Sequence, residues 1–327
     1  AHGGVLRVSD LQSYEAVWRP PLEFEAFGGK MAAMDLPAAG GIIVAQNLSL
    51  LESLAWGELP RFGADRAHLL AEVWRRSYAD RFLMGDPRSS EVDSKGLLAP
   101  EWLAYRRSTI QRDKASLSAD IARFPESPPA ESPDTTHVAV ADAVGNLVTL
   151  TTTLNYTFGC RLMVPEAGFF LNNEMDDFAA APGRPNLYGL VQGEANAVRP
   201  GHRMLSSMTP ILAWRGEEAV ALGGRGGSRI PTAIAQVLLH LLVDGDPLQA
   251  AVDRPRLHHQ WLPDVLRAEA DALSPETVEE LSSRGHEVGI WTKDAKVNAV
   301  RTLEDGTFEA AADPRGPGSS GVVDPIQ

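Results

Sequence analysis

A threonine that follows a proline-rich segment is the first feature of the chain that could carry chemistry. Residues 124–134 read F-P-E-S-P-P-A-E-S-P-D, with four prolines in eleven residues. Neither a helix nor a central strand tolerates that density of proline. The stretch therefore indicates an exposed linker and a site of chain cleavage, although composition alone favours an ordinary surface loop.

Cleavage before Thr135 would give this residue a free α-amino group. The reference pKa of such an amine is about 7.7–8.0, which suits a general base near neutral pH. Base and hydroxyl nucleophile would then belong to one residue, as in catalysis by an N-terminal threonine. His137 lies two residues further along the predicted strand, on the same face, and is the alternative base. Taken alone the pattern is weak, because Thr-Thr is common at the start of a strand.

The element that would position Thr135 is a predicted β-hairpin. Residues 136–141 and 147–154 are rich in β-branched side chains, and Gly145-Asn146 between them is typical of a turn. The other predicted elements are helices at 42–54, 64–80, 101–122, 230–243, 247–252 (with Asp246 as N-cap) and 275–284, and strands at 287–291, 297–302 and 307–312. This mixture indicates a layered α/β or α+β core.

Composition and missing motifs exclude several functional classes. The formal net charge is −13, so a nucleic-acid partner is not expected. The longest apolar run, residues 230–243, is too short to cross a bilayer. The serine-hydrolase elbow, the P-loop and the H-E-x-x-H zinc motif are absent from the sequence. His258 and His259 are adjacent and would point to opposite faces of a strand, so we expect neither a metal nor a cofactor.

Long motifs in the second part of the chain resemble the small subunit of gamma-glutamyltranspeptidases. In order they are Thr135-Thr136-His137, Asp142, Gly145-Asn146, Thr153-Leu154-Asn155, Phe158-Gly159, residues 171–178 (LNNEMDDF), 185–189 (PNLYG), 203–210 (RMLSSMTP), 226–229 (GGSR), 255–264 (PRLHHQWLPD) and 313–315 (DPR). Residues 1–134 resemble the last part of the large subunit, for example at Asp10–Tyr14 and Gly40-Gly41.

This resemblance implies a fold, a maturation step and an activity. The fold would be α+β, the four-layer αββα sandwich of N-terminal nucleophile hydrolases. Self-cleavage between Asp134 and Thr135 would separate a large-subunit region, 1–134, from a small-subunit region, 135–327, and both would form one intertwined domain. The Thr135 hydroxyl would attack the γ-glutamyl amide of glutathione and related donors, and the acyl group would pass to water, an amino acid or a peptide. A periplasmic or secreted location is implied as well.

The resemblance also assigns roles around the nucleophile. Thr153 would hydrogen-bond the nucleophile. Gly226 and Gly227 would form the oxyanion hole, since glycine lets backbone N–H groups approach a reacting atom closely. Tyr188 would belong to a lid loop, residues 182–203, that covers the glutamyl site.

The head group of a glutamyl donor carries an ammonium and a carboxylate, and the remaining assigned residues suit these two charges. Asn155, Glu174 and Asp177 offer oxygen acceptors for the ammonium. Ser206 and Ser207 offer hydroxyl donors for the α-carboxylate.

Two departures from the family pattern leave alternatives open. The large-subunit arginine that clamps the donor carboxylate has no counterpart here, and residues 37–41 carry alanines where the family usually has serines. A related amidase that cleaves a cephalosporin side chain, oxamate or poly-γ-glutamate is one alternative. An inactive fragment is the other, because a missing part of the core would leave residues around the sheet exposed.

Overall fold

A computed structural model describes residues 5–122, 135–184, 192–291 and 295–323. The predicted cleavage-site residue Asp134 and the lid residue Tyr188 lie outside these described residues. Among the helices that are described, none is long and apolar enough to cross a membrane.

An antiparallel six-stranded sheet forms the centre of the molecule. Its strand order is β1-β2-β7-β8-β12-β13. The described strands are β1 (Leu22–Ala26), β2 (Gly29–Ala33), β3 (Thr135–Ala141), β4 (Leu147–Thr153), β5 (Met163–Val164), β6 (Phe169–Phe170), β7 (Ile211–Arg215), β8 (Glu218–Arg225), β9 (Leu257–His258), β10 (Leu266–Glu269), β11 (Val288–Trp291), β12 (Lys296–Thr302) and β13 (Phe308–Ala312). The pairing of β2 with β7 joins the part of the chain before the proline-rich linker to the part after it.

Helices cover one face of this sheet. The described helices are α1 (Val8–Gln12), α2 (Ala39–Ser53), α3 (Ala64–Asp80), α4 (Ser94–Leu97), α5 (Pro100–Ser108), α6 (Ser118–Ile121), α7 (Ile230–Leu242), α8 (Leu248–Asp253) and α9 (Pro275–Ser283). Helices α2 and α7 are apolar on almost every side, and both are buried in one hydrophobic core with α3, as their sequences predict.

The α3 helix has the predicted bounds, and its apolar residues recur at the spacing of an amphipathic helix. Such a helix normally has its polar face in water, yet nearly the whole of α3 is buried. Glu72, on the polar face, forms ion pairs with Arg75 and Arg76 of its own helix. Asp80 pairs with Arg106 of α5. Because charged partners replace water around this face, other helices can pack against it.

Two local predictions were wrong. The single helix predicted over 101–122 ends at Ser108, where the buried Arg76 donates to both the carbonyl and the hydroxyl of Thr109. Asp246 does not cap α8, because its carboxylate binds Arg61 and Arg254 instead. In both places a side chain that is distant in sequence forms hydrogen bonds with a residue that local sequence rules assign to a helix or its cap.

The hairpin of β3 and β4 lies on the other face of the sheet and carries the predicted nucleophile. The two strands pair in a register that places Thr135 opposite Thr153. The hairpin approaches β8 closely, since a Cβ on Gly223 would lie 2.3 Å from the His137 ring. The Asn298 amide on β12 donates to the His137 carbonyl at 3.1 Å. Helices, sheet and hairpin thus form successive layers of an α+β fold.

The outer face of this hairpin is apolar and exposed. Val138, Val140, Val148 and Leu150 alternate with inward-facing residues, and 48–56% of each is exposed. Exposed apolar patches of this kind are characteristic of contact surfaces.

Candidate active site

A pocket at the start of β3 brings together most of the residues that the sequence indicates. Its described lining consists of Arg81, Thr135, Thr153, Asn155, Asp177, Leu205, Ser206, Ser207, Met208, Gly227, Ser228 and Ile230. Gly226 is the neighbour of a lining residue. Glu174 lies instead in an adjoining cavity that shares Ser206 and Met208 with this pocket.

A hydroxyl of the facing strand β4 contacts the predicted nucleophile. The Thr135 Oγ1 donates to the Thr153 Oγ1 at 3.3 Å. The Thr153 Oγ1 in turn accepts a hydrogen bond of 2.8 Å from the backbone N–H of Asn155. The cross-strand register fixes the first contact, and the left-handed turn at Asn155, with φ of 71°, makes the second possible.

The alternative base, His137, is held away from the pocket. Its Nδ1 lies 2.9 Å from the Thr151 hydroxyl and its Nε2 lies 3.4 Å from the Thr149 hydroxyl. Burial lowers the pKa of His137 to about 4, because an apolar environment disfavours the charged imidazolium. His137 does share the inward face of β3 with Thr135, yet its polar contacts are structural.

The glycine turn after β8, the predicted oxyanion site, has a backbone conformation that favours glycine. Gly226 has φ of 139° and Gly227 has φ of 57°, both in regions that favour glycine. A Cβ on Gly226 would lie 2.9 Å from the Ala295 Cα. Gly227 begins a short 3-10 turn that runs directly into α7, so its N–H lies at the positive end of a helix. The hydroxyl of the buried Tyr78 donates to the Ser228 carbonyl and anchors this turn to α3.

Three acidic residues, Glu174, Asp176 and Asp177, sit on the 3-10 turn Glu174–Asp177 at one side of the site. Burial raises the pKa of Glu174 to about 7. Burial also raises the pKa of Asp177 to about 7, while Arg81 opposes that rise and Glu174 and Asp176 add to it. Arg81 offsets only part of the cost of ionising Asp177 in so poorly solvated a place, and an ammonium ion would add a second positive partner.

Two serines form the opposite side, on a loop that α2 supports. The Ser206 backbone N–H donates to the Pro37 carbonyl, and its carbonyl accepts from the Ala39 N–H, each at 2.8 Å. A Cβ on Gly40 would lie 2.1 Å from the Thr209 Oγ1, so α2 can approach this loop only with glycine at that position. The 37–41 segment thus supports the serine loop through its backbone, which alanine side chains do not disturb.

Arg81 is the pocket residue that sequence analysis missed. It follows directly after α3 and is 2% exposed. Burial lowers its pKa to about 10, so it stays charged at neutral pH. An arginine at the end of an amphipathic helix normally indicates a solvated charge beside the helix dipole, and nothing in the local sequence distinguishes Arg81 from that case.

A buried cluster outside the pocket has the residue types of a metal site, but its carboxylate is already paired with positive side chains. One ligand atom each of His68, Glu72 and His286 lies within 4.8 Å of the others. The two rings already contact each other, with the His68 Nδ1 2.8 Å from the His286 Nε2. Both Glu72 oxygens accept from arginines, Arg75 and Arg76. Since cations already occupy the carboxylate, the cluster is better explained as a structural network.

Comparison with known proteins identifies relatives along the whole chain. A family model described as gamma-glutamyltranspeptidase matches residues 1–323. The glutathione hydrolase proenzyme of Escherichia coli (strain K12) is 38% identical over 316 residues, which are 96% of this chain and 54% of that protein. The chain therefore spans about half the length of the curated relatives it matches.

Solved structures agree with this result. A mutant of Helicobacter pylori gamma-glutamyltranspeptidase is 40% identical, with a TM-score of 0.54, and the match covers 55% of this chain and 100% of that one. A cephalosporin acylase from Bacillus halodurans is 21% identical, with a TM-score of 0.82 over 99% of this chain and 57% of that one. The second match concerns the fold alone, and it confirms the predicted fold class.

Proposed function

The chain belongs to the gamma-glutamyltranspeptidase family, and from this premise we propose that it cleaves the γ-glutamyl amide of glutathione and related donors. The observation that carries the proposal is one pocket that holds a threonine hydroxyl pair, an acidic side and a serine side. We further propose that residues 1–134 and 135–327 are the regions of two subunits cut from one precursor. By family likeness the enzyme would act in the periplasm or outside the cell.

Acylation would use groups of the chain alone. After cleavage before Thr135, its α-amine takes the proton from its own hydroxyl, and the Oγ1 attacks the γ-carbonyl carbon of the donor. The N–H groups of the Gly226-Gly227 turn stabilise the negative oxygen of the tetrahedral intermediate. The protonated amine then gives its proton to the leaving amine. Water or the amine of an acceptor amino acid or peptide attacks the resulting ester in the second half-reaction.

The two sides of the pocket select the donor. Asp177 and Asn155 accept hydrogen bonds from the α-ammonium, with Glu174 close by in the adjoining cavity. The Ser206 and Ser207 hydroxyls donate to the α-carboxylate. An acyl group without the ammonium would leave the poorly solvated Asp177 carboxylate without a hydrogen-bond donor from the ligand, and this disfavours the acylase alternative.

The test compares variants at two adjacent threonines. Thr135→Ala should leave a single uncut band on a denaturing gel and abolish release of p-nitroaniline from γ-glutamyl-p-nitroanilide. Thr136→Ala, on the exposed face of the same strand, is the matched control and should cut and turn over normally. Wild-type protein that stays uncut but is fully active would contradict the mechanism. Faster cleavage of glutaryl-p-nitroanilide than of the γ-glutamyl compound would favour the acylase alternative.

A further inference from the structure

We propose that Arg81 is a positioning residue that joins the two halves of the glutamyl head-group site, as the cation facing Asp177 and as a hydrogen-bond donor to Ser207. The inference rests on the proposed function and adds to it a residue from the part of the chain before the linker. Arg81 would act on the donor through these two neighbours.

The hydrogen bonds of Arg81 connect it to both sides of the pocket. Its Nη2 donates to the Ser207 Oγ at 3.5 Å, and its Nη1 donates to the Gln192 Oε1 at 3.2 Å. Its Nε is buried and has no hydrogen-bond partner within the described part of the chain. Among the described residues that line the pocket, Arg81 is the one cation.

A chain of amides connects this arginine to the backbone of the acidic turn. The Gln192 and Asn196 side-chain amides both donate to the Asp177 carbonyl, at 2.9 and 2.7 Å. The Asn196 Oδ1 also accepts from the N–H of Leu205, directly before the serine loop, at 2.9 Å. One buried network therefore positions the ammonium side and the carboxylate side, and Arg81 is its charged member.

The charges that face Asp177 explain why a cation is needed there. Glu174 and Asp176 on the same 3-10 turn are acidic, and both favour protonation of Asp177. On the α3 side stand Arg81 and the hydroxyl of Tyr78. The Thr135 α-amine would join the pocket after cleavage. Without Arg81, three acidic groups would face one another in a poorly solvated site, and Asp177 would bind a proton in place of the donor ammonium.

Arginine suits this position better than lysine. Its planar guanidinium reaches Gln192 and Ser207 with different nitrogens while its charge faces Asp177. A lysine would keep the charge but could not reproduce the two-sided geometry. Substitutions of Arg81 can therefore separate the contribution of its charge from the contribution of its hydrogen bonds.

The experiment measures the inhibition constant of L-glutamate against γ-glutamyl-p-nitroanilide hydrolysis from pH 5.5 to 9. In wild type this constant should rise as pH falls through about 7, as the acidic side gains protons. In Arg81→Met the rise should begin about one pH unit higher, and the constant at pH 7 should increase roughly tenfold, the effect expected from removing a nearby opposite charge. Arg81→Lys should keep the wild-type pH midpoint with weaker binding at every pH.

Controls distinguish positioning from general damage. Arg107→Met, at an exposed arginine of α5, should leave the inhibition constant unchanged. In an Asp177→Asn background, Arg81→Met should no longer move the pH midpoint. If Arg81→Met fails to fold, as judged by its melting temperature and self-cleavage, Arg81→Lys and Arg81→Gln provide the same comparison of charge with hydrogen bonding.

Three results would overturn the inference: an unmoved pH midpoint in every folded variant without the charge, equal midpoint shifts in the Lys and Met variants, or a midpoint shift that persists without Asp177. Wild-type protein that does not hydrolyse the γ-glutamyl substrate would instead refute the proposed function. Binding of L-glutamate measured by calorimetry would then still test the role of Arg81.

Discussion

At the scale of single residues, poor solvation shifts the pKa values of the ionisable groups in and beside the site. Asp177 and Glu174 have raised pKa values because burial disfavours their ionised forms. His137 has a lowered pKa for the same reason. The carboxyls therefore suit a cationic ligand, and the histidine is neutral throughout the physiological range.

Asp177→Asn should weaken donor binding without affecting maturation. Loss of a charge-assisted partner costs about 1.5–3 kcal/mol, so the Michaelis constant for glutathione should rise about tenfold or more. Self-cleavage should remain complete on a denaturing gel. Glu166→Gln, at an exposed acidic residue between β5 and β6, is the control, since Glu166 does not line the pocket. An unchanged Michaelis constant for Asp177→Asn would exclude the assigned role.

The pH dependence of acylation should report the Thr135 α-amine. A base must be unprotonated to take a proton, so the rate should fall below the pKa of the amine, between about pH 6 and 8. This fall in rate at low pH is the acid limb of the pH profile, and single-turnover release of the first product measures it. His137→Asn should leave the limb in place, because His137 contacts Thr151 and Thr149. Disappearance of the limb with self-cleavage intact would identify His137 as the base.

At the scale of elements, the site depends on helices that contribute no predicted catalytic group. The N-terminus of α2 supports the serine loop by backbone hydrogen bonds. The α3 helix supplies Tyr78, which donates to the Ser228 carbonyl in the glycine turn after β8, and leads into Arg81. Both helices belong to the part of the chain before the proline-rich linker.

Gly40→Ala should impair the carboxylate side of the pocket. The added Cβ would overlap the Thr209 Oγ1 and the Met208 carbonyl, so α2 and the serine loop must separate. We expect a Michaelis constant raised by about tenfold and a lower melting temperature. Gly321→Ala, where a Cβ meets no neighbour and the backbone does not require glycine, controls for the loss of a glycine. Normal kinetics in Gly40→Ala would show that the close approach is dispensable.

Glu72→Gln should destabilise the buried face of α3. Arg75 and Arg76 would lose their shared carboxylate in a water-free environment, and breaking such a pair costs about 3–5 kcal/mol. Chemical denaturation measures the change in the free energy of unfolding. The two arginines and Ser116 lower the pKa of Glu72 against the raising effect of burial, so its contribution should be present above about pH 4.5 and lost on acidification below it. A cost below about 1 kcal/mol, typical of an exposed pair, would contradict this account.

At the scale of the whole molecule, the two proposed subunit regions share one sheet and one core. Strand β2 pairs with β7, and α2 packs against α7. Arg61 and Arg66 form ion pairs with Asp246 and Asp244 across the same division. Cleavage of the linker would remove one peptide bond and none of these contacts.

Cleaved protein should therefore remain a single particle. We expect two bands on a denaturing gel, for residues 1–134 and 135–327, and one peak in size-exclusion chromatography under native conditions. The uncut Thr135→Ala protein provides the elution volume of an intact chain. Separation of the two pieces without denaturant would show that the shared sheet does not hold them.

Local sequence determined the hairpin and the longest helices, and it indicated Thr135 as the candidate nucleophile. Alternating β-branched residues predict β3 and β4, apolar periodicity predicts α3 with its observed bounds, and a linker before Thr135 indicates its chemistry. These features depend on neighbours within a few residues, which sequence patterns record. The motifs shared with the family added the acidic turn, the serines and the glycines.

Only the tertiary structure decided which groups meet in the pocket and how they are charged. Arg81 and Ser207 are 126 positions apart, and Tyr78 and Ser228 are 150 apart, so no local period connects them. The same is true of the buried polar face of α3 and of Glu174, which lies in the adjoining cavity. Burial and long-range partners set the state of an ionisable group, and both are properties of the assembled fold.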